Sequence, residues 1–367
     1  MKVKRILHVT ALRELGSGQR NQLKYEVNAA KEIQDINWNT IAFHSGEKIE
    51  SFESRTPKYI DVLVFRNIYF WLKVIRMSKH YDIVMFRYLP FDIFSIIFSP
   101  FVKNRVSVHH SKEIEELVLI KKGWKGIFAS IIERFTGKIS INNSLLIAGV
   151  TEEIAKYQNE RRKLNKKYVT YQNGIKLSDI CIADDNRLDN EINIIFVCSY
   201  FTEWHGLDIL LDFLNTNDID DNFFVHLIGN LNTDQLLIIE NNKYKNNINV
   251  YGALNKNEIY SIASKCDTAL GSLALFRQNM TEGSTLKVSE MLAMGIPVYS
   301  GHKDASLPED FPYYTFKKDF NFFELLNFSK KHKVISRLEV REASSVYIEK
   351  SNIMKNFIRT LNCIIED

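Results

Sequence analysis

The chain reads as an α/β protein made of two domains in series, each with a parallel sheet. Three observations lead there. At 367 residues and 45% hydrophobic content, the chain exceeds what one core comfortably organises. Short β-branched or aromatic runs alternate with longer amphipathic ones, the pattern of strand–helix–strand units rather than hairpins. The alternation breaks once, in the acidic and aperiodic "LSDICIADDNRLDNE", and then restarts. The boundary is placed there, giving domains 1–178 and 179–367 with a cleft between them, and the C-terminal helix is expected to pack back on the first domain.

In the first domain "RILHVTAL" alternates as an opening strand and residues 21–33 continue as a helix. "NTIAFHS" and "YDIVMFRY" read as the next strands, separated by a helix through "NIYFWLKVIRMSKH". "NRVSVHHS" leads into two helical runs, "KEIEELVLI" and "GIFASIIERFTG", and then into the strand "NSLLIAGVT". Thr151 is suited to cap a helix opening at Glu152, because its hydroxyl can accept from a first-turn amide. After the basic, polar run "NERRKLNKKY", "YVTYQ" adds a strand and Asn173 opens the turn "NGI". The second domain repeats the scheme with strands "INIIFVCS", "FFVHLIGN", "NINVYGA", "DTALGSL" and "GIPVYSG". Helices are expected from Gly206, up to Glu240, from Lys256 and through "LKVSEMLAMG".

Composition excludes several classes. The basic start is followed by an apolar run too short for a secretory signal, so no export is expected. "LPFDIFSIIFSPFV" carries Asp92 and ends its run at Pro100, short of the roughly 18 residues a spanning helix needs. Cys181, Cys198, Cys266 and Cys363 show no paired spacing, which fits a reducing compartment. A cytoplasmic location follows.

The net charge of +4 conceals a polarised molecule. Residues 1–178 hold 30 Lys and Arg against 17 Asp and Glu, net +13, while the remainder is net −9. Such an excess points to an anionic partner or, alternatively, to two solvated faces of opposite sign. Basic residues are interleaved with aromatics in two places. Arg66, Lys73, Arg76 and Lys79 accompany Phe70 and Trp71, and Lys121, Lys122 and Lys125 accompany Trp124. Helices of this kind suit an anionic membrane surface. No recognition module for nucleic acid is discernible, so none is expected as a partner.

The segment "MTEGSTLKVSEMLAMGIPVYSG" concentrates the chemistry. Ser284 and Thr285 can cap a helix that stops at Gly295, and its N-terminus follows a strand end. Free amides and the positive dipole end suit a diphosphate, and Gly283 with Ser284 allows close approach. Lys287 and Glu290, three residues apart, share a helix face: the cation can neutralise phosphate and the carboxylate can accept from ribose hydroxyls. Alternatively they form an ordinary salt bridge.

This segment, with Glu282 and Glu290 separated by seven residues, resembles the signature of glycosyltransferase family 4, retaining enzymes that use sugar nucleotides and have the two-Rossmann-domain GT-B fold. It looks most like bacterial enzymes of surface-polysaccharide assembly. "FVCSYFTEWHGLDILL", "NGI" and "AGVTEEI" extend the likeness over nearly the whole chain. The resemblance implies that Glu290 binds the donor ribose, that Glu282 and the amides of Gly283, Ser284, Thr285 and Leu286 cradle donor sugar and diphosphate, and that the loop from Gly252 holds the base. It departs from the family where an Arg and a Lys are usual, since this chain has Ser199 or Tyr200, and His205. Arg277 and Lys287 are therefore the candidates for neutralising the leaving diphosphate. His205 either assists as a cation or caps its helix against Trp204, and Arg277 is alternatively a plain loop cation.

In the first domain Gly16 and Gly18, in "ELGSGQRNQ", either bring backbone close to the donor phosphate or the acceptor, or form a plain turn. Without a third glycine and an acidic partner the loop does not make a dinucleotide fingerprint. In related enzymes a His at the strand end of "VSVHHSKE" faces the cleft. Alternation allows only one of the pair to do so, and His110 is favoured with His109 as substitute. No metal is expected, because "DIDD" (Asp218 to Asp221) lies in a polar link and no other ligand cluster is visible. The only co-substrate expected is a nucleotide diphosphate sugar, with a lipid-linked or polysaccharide hydroxyl as acceptor. Two other readings stay open: a sugar-nucleotide 2-epimerase, and a non-catalytic sugar-nucleotide-binding partner in an assembly complex.

Overall fold

A computed structural model describes residues 3–60, 62–121 and 123–366. The chain forms two compact units, Met1–Lys176 with Lys350–Asp367, and Leu177–Glu349.

The first unit runs β1 (Arg5–Ala11), α1 (Ser17–Ala30), β2 (Asn37–His44), β3 (Glu53–Arg55), α2 (Leu63–Ser78), β4 (Ile83–Arg87), α3 (Ser95–Phe98), β5 (Arg105–His109), α4 (Glu113–Ile120), α5 (Trp124–Asn142), β6 (Leu146–Gly149), α6 (Glu152–Arg162) and β7 (Tyr168–Thr170). Its strands form one parallel sheet in the order β3-β2-β1-β4-β5-β6-β7. Both faces of such a sheet are covered, so β1 is buried along nearly its whole length. Leu7, Val9, Phe86 and Val84 pack with Phe70, Trp71 and Val74 of α2. On the other face Ile6, Met85, Val106 and Val108 pack with Ala29 of α1 and with Met354, Phe357 and Leu361 of the C-terminal helix Lys350–Glu366. Thr151 caps α6 as its residue type predicts, accepting from the Ile154 amide at 3.1 Å.

One surface expectation needs correction. Phe70 and Trp71 are each 1% exposed, because on α2 they are the residues that turn toward the sheet, so they take no part in a membrane face. Within "NERRKLNKKY", Arg162 is buried and ion-paired at 2.6 Å with buried Glu133. The exposed apolar residues lie instead on α5. Trp124, Ile127, Phe128, Ile131 and Phe135 share one helical face and all are exposed, while Gly126, Ala129, Glu133 and Gly137 turn inward. Ile93, Ile97 and Phe101, on or beside α3 next to α5, are exposed as well. Lys125, Arg134 and Lys138 lie on the same helix and Lys121 precedes it, whereas Lys122 lies outside the described residues.

The second unit comprises β8 (Ile192–Tyr200), α7 (Leu207–Thr216), β9 (Phe223–Asn230), α8 (Thr233–Glu240), β10 (Ile248–Gly252), α9 (Lys256–Ala263), β11 (Thr268–Leu270), β12 (Glu282–Gly283), α10 (Leu286–Ala293), β13 (Val298–Ser300), β14 (Lys303–Asp304), β15 (Tyr314–Phe316), α11 (Phe322–His332) and α12 (Arg337–Ile348). The main sheet is parallel, in the order β10-β9-β8-β11-β13-β15, and β12 pairs with β14 beside it. Ile194, Phe196, Leu210, Leu227 and Phe322 are among the residues of its core.

Candidate functional site

In the second unit the site residues gather where β8 and β11 end. After β8 the chain makes a short turn in which the Thr202 amide donates to His205 Nδ1 at 3.0 Å. The Leu273 amide, just past β11, donates to the His205 carbonyl at 2.9 Å and joins the two loops. Gly206 stands between them at φ +74°, and a Cβ there would lie 2.8 Å from Leu273 Cβ, so the junction requires glycine.

Two candidate cations change character in this setting. His205 is neutral near pH 7, because burial and the nearby Lys287 charge push it down to about 3. It caps the turn and gives no positive charge to a diphosphate. Arg277 clamps Asp208 in a bidentate pair at 2.9 and 2.6 Å and donates to the Glu203 carbonyl at 2.7 Å. Its guanidinium fastens the turn to the start of α7. Lys287 lies with Nζ 3.5 Å from Cys198 Sγ and 5.5 Å from the Phe196 ring centroid, half-buried against β8.

Glu282 and Gly283 form β12, whose parallel register with Lys303 and Asp304 sets the Gly283 amide against the Lys303 carbonyl. Gly283 therefore spends its amide on strand pairing, and the cradle starts beyond it. Its lack of a side chain answers to His302: a Cβ would lie 2.6 Å from His302 Cδ2. Thr285 is the N-cap of α10 without a side-chain cap bond, and its buried Oγ1 has no partner among the described residues. At the first turn, the amides of Leu286 and Lys287 have no carbonyl of the same helix to bond. Ser284 is buried beside them. Glu290 is half-buried on α10, and its charge is felt by the Tyr260 hydroxyl, whose pKa is raised chiefly by burial. Tyr260 belongs to α9, the helix after the Gly252 loop. Gly252 has φ +69° and open space around its Cα.

His302 and Asp304 escape sequence reasoning. His302 Nδ1 lies 2.8 Å from Ser300 Oγ and 3.1 Å from the Ser272 carbonyl, while Nε2, beside Gly283, has no partner among the described residues. Burial first, and also Lys287, lowers its pKa to about 4. Burial raises Asp304 to about 7. Their signal would have been polar residues in an otherwise apolar strand end, but nothing local pairs them with Gly283.

In the first unit alternation separates the two histidines. His109 is buried, with Nδ1 2.8 Å from Glu113, Nε2 2.8 Å from Ser107 Oγ and its ring stacked on Tyr88 at 4.6 Å. Both nitrogens are engaged, which removes His109 as a substitute for its neighbour. His110 is half-buried and its Nε2 has no partner among the described residues. Burial foremost, then the charges of Arg87, His8 and Lys350, hold its pKa well below the usual imidazole value. Gly16 caps α1, which begins at Ser17, so Gly18 lies in the first helical turn rather than in a loop. In "DIDD", Asp218 pairs with Lys243 and Asp221 with Lys330.

No family model and no curated protein matches the chain. Solved structures do match. The apo form of the lipopolysaccharide outer core galactosyltransferase WaaB is 12% identical with a TM-score of 0.63, the match covering 97% of this chain and 99% of that one. HepE from Anabaena, in complex with UDP and glucose, is 13% identical with a TM-score of 0.60 over 98% of this chain and 100% of that one. Sucrose-phosphate synthase from Thermosynechococcus elongatus is 12% identical with a TM-score of 0.66 over 98% and 99%. At such identities the likeness speaks to the fold, and the fold is GT-B: two Rossmann-like α/β units, each on a parallel sheet.

Proposed function

We propose that the protein is a retaining glycosyltransferase that moves a sugar from a nucleotide diphosphate sugar to a hydroxyl of a lipid-linked or polysaccharide acceptor in cell-surface glycan synthesis. The observation that carries this reading is the placement of Lys287 and Glu290 on α10, with Glu282 at its entry and the Gly252 loop and α9 alongside. Lys287 and the α10 N-terminus compensate the charge that concentrates on the departing diphosphate. Glu290 accepts from the ribose, and Glu282 faces the transferred sugar. His110, neutral at pH 7, positions the reacting sugar or takes the acceptor proton. Arg277, committed to Asp208, favours one second reading, a non-catalytic nucleotide-sugar binder. Transfer to an acceptor decides between them.

A thermal-shift panel of nucleotide diphosphate sugars tests the reading, since selective binding to the folded state raises the transition temperature. No response to any member would remove it. Turnover is expected to survive chelation, because Asp218 and Asp221 are held in ion pairs away from α10. Activity that returns only with added magnesium or manganese would show a different means of neutralising phosphate.

Among the described residues no helix is long and apolar enough to cross a membrane. The α5 face, apolar and on a helix that also carries cations, supports peripheral attachment to an anionic bilayer, here the cytoplasmic face of the plasma membrane. Binding to anionic vesicles is expected to fall with salt, and Phe128→Ser is expected to weaken it about tenfold by removing one inserting aromatic. Equal binding to neutral and anionic vesicles, indifferent to this substitution, would exclude the face.

A further inference from the structure

A second group of polar side chains gathers on the sheet of the first unit. Register sets His8 beside Met85, and Arg87 beside Val108. Successive side chains alternate, so His8, Thr10, Arg87 and His110 share one face toward the carboxyl ends of β1, β4 and β5. Tyr88 and His109 fall on the other, where they stack.

Three polar atoms on this face, His8 Nε2, Thr10 Oγ1 and His110 Nε2, are buried without a hydrogen-bond partner among the described residues. His8 and Thr10 are each 1% exposed. A native fold seldom leaves even one such atom unsatisfied, and here three lie on one face of the sheet. Arg87 is half-buried and makes no hydrogen bond or ion pair among the described residues. Burial lowers its pKa to about 10, with Glu116 and Glu113 acting only as more distant charges.

The neighbouring carboxylate does not serve Arg87. Glu26 is consumed by His8 Nδ1 at 2.7 Å, Thr40 Oγ1 at 2.7 Å, Trp38 Nε1 at 3.2 Å and the Tyr171 hydroxyl at 2.6 Å. It holds a hydrogen on His8 Nδ1 and leaves Nε2 on the far side of the ring. Bare imidazole nitrogens alone would also suit a metal cation. Arg87, and Lys350 bonded to the Gln172 carbonyl at 2.9 Å, argue for the opposite charge.

We propose that this face is an oxyanion site that binds a phosphate group of the acceptor-side substrate, with Arg87 supplying charge and Thr10 and His8 supplying hydrogen bonds, beside the reacting position at His110. Contacts arriving from two adjacent strands, β1 and β4, suit a tetrahedral group better than a planar carboxylate. With Nδ1 held by Glu26, His8 Nε2 accepts from a protonated phosphate oxygen. A phosphate held on Arg87 leaves the rest of the acceptor to reach His110, one pleat nearer the strand ends. Assignment to the acceptor rests on the donor reading of the second unit; phosphate binding as such does not.

Calorimetric titration of the full chain with inorganic phosphate, acetate, zinc ion and a nucleoside diphosphate tests it. The parent protein is expected to bind phosphate, with Arg87→Gln weakening it about tenfold or more, the loss expected for a charge-assisted contact. Thr10→Val, which removes only a hydroxyl, is expected to weaken it several-fold, while Lys287→Gln retains the Arg87-dependent heat. Unchanged thermal transitions in Arg87→Gln and Thr10→Val establish that both variants fold. No phosphate binding by the parent, equal binding by Arg87→Gln, tighter binding of acetate, or zinc binding that depends on His8 overturns the site. If phosphate binding follows Arg87 but the nucleoside diphosphate does not bind, the donor reading fails and the oxyanion site stands.

Discussion

His110→Ala is expected to slow sugar transfer by about a hundredfold while leaving nucleotide affinity nearly unchanged, because a positioned proton acceptor acts mainly in the transition state. The side chain is half-buried, its Nε2 has no partner among the described residues, and burial together with Arg87, His8 and Lys350 keeps it neutral. A lowered pKa means that the uncharged ring persists as pH falls through the ordinary imidazole range. The transfer rate should therefore show no acid limb from this residue near pH 6.5. The adjacent histidine behaves differently. His109→Ala strips a hydrogen bond from buried Glu113 and should lower stability by about 1–3 kcal/mol, read as an earlier thermal transition. Normal transfer by His110→Ala would remove the catalytic assignment.

Glu290→Ala is expected to weaken nucleotide binding about ten- to a hundredfold, the equivalent of a charge-assisted hydrogen bond worth roughly 1.5–3 kcal/mol. Alanine is the best helix former, so α10 should persist and Lys287 should keep its place against β8. Calorimetry with the cognate nucleotide measures the loss, and the unchanged transition temperature of the free protein separates it from misfolding. A parent-like affinity would make Glu290 a residue of the helix surface only.

Local chemistry carried much of the fold. Alternating apolar residues in "RILHVTAL" and "INIIFVCS" specify the central strands β1 and β8, and Thr151 specifies the start of α6, since capping and pleat depend on residues within a few positions. The α10 segment was legible for the same reason: its cap, its cation and its carboxylate lie within one short helix. Short strands such as β3, β12 and β14 were not legible, because two or three residues carry no period and exist only through a partner elsewhere in the chain. Asn321 and Ser336 cap helices α11 and α12 by the same local chemistry.

What the sequence by itself determined, then, was the succession of elements and the residue types at the donor helix. Tertiary structure decided which of those residues are still available for chemistry. Arg277 is closed by Asp208, 69 positions away in the chain. Gly283 answers to His302, and His109 is closed by Ser107, Glu113 and Tyr88. Phe70 and Trp71 turn inward while α5 presents its apolar side outward. Above all, His8, Thr10, Arg87 and His110 share one face only because β1, β4 and β5 pair in a particular register. Register is set by packing across strands far apart in the chain, so no window of sequence contains it.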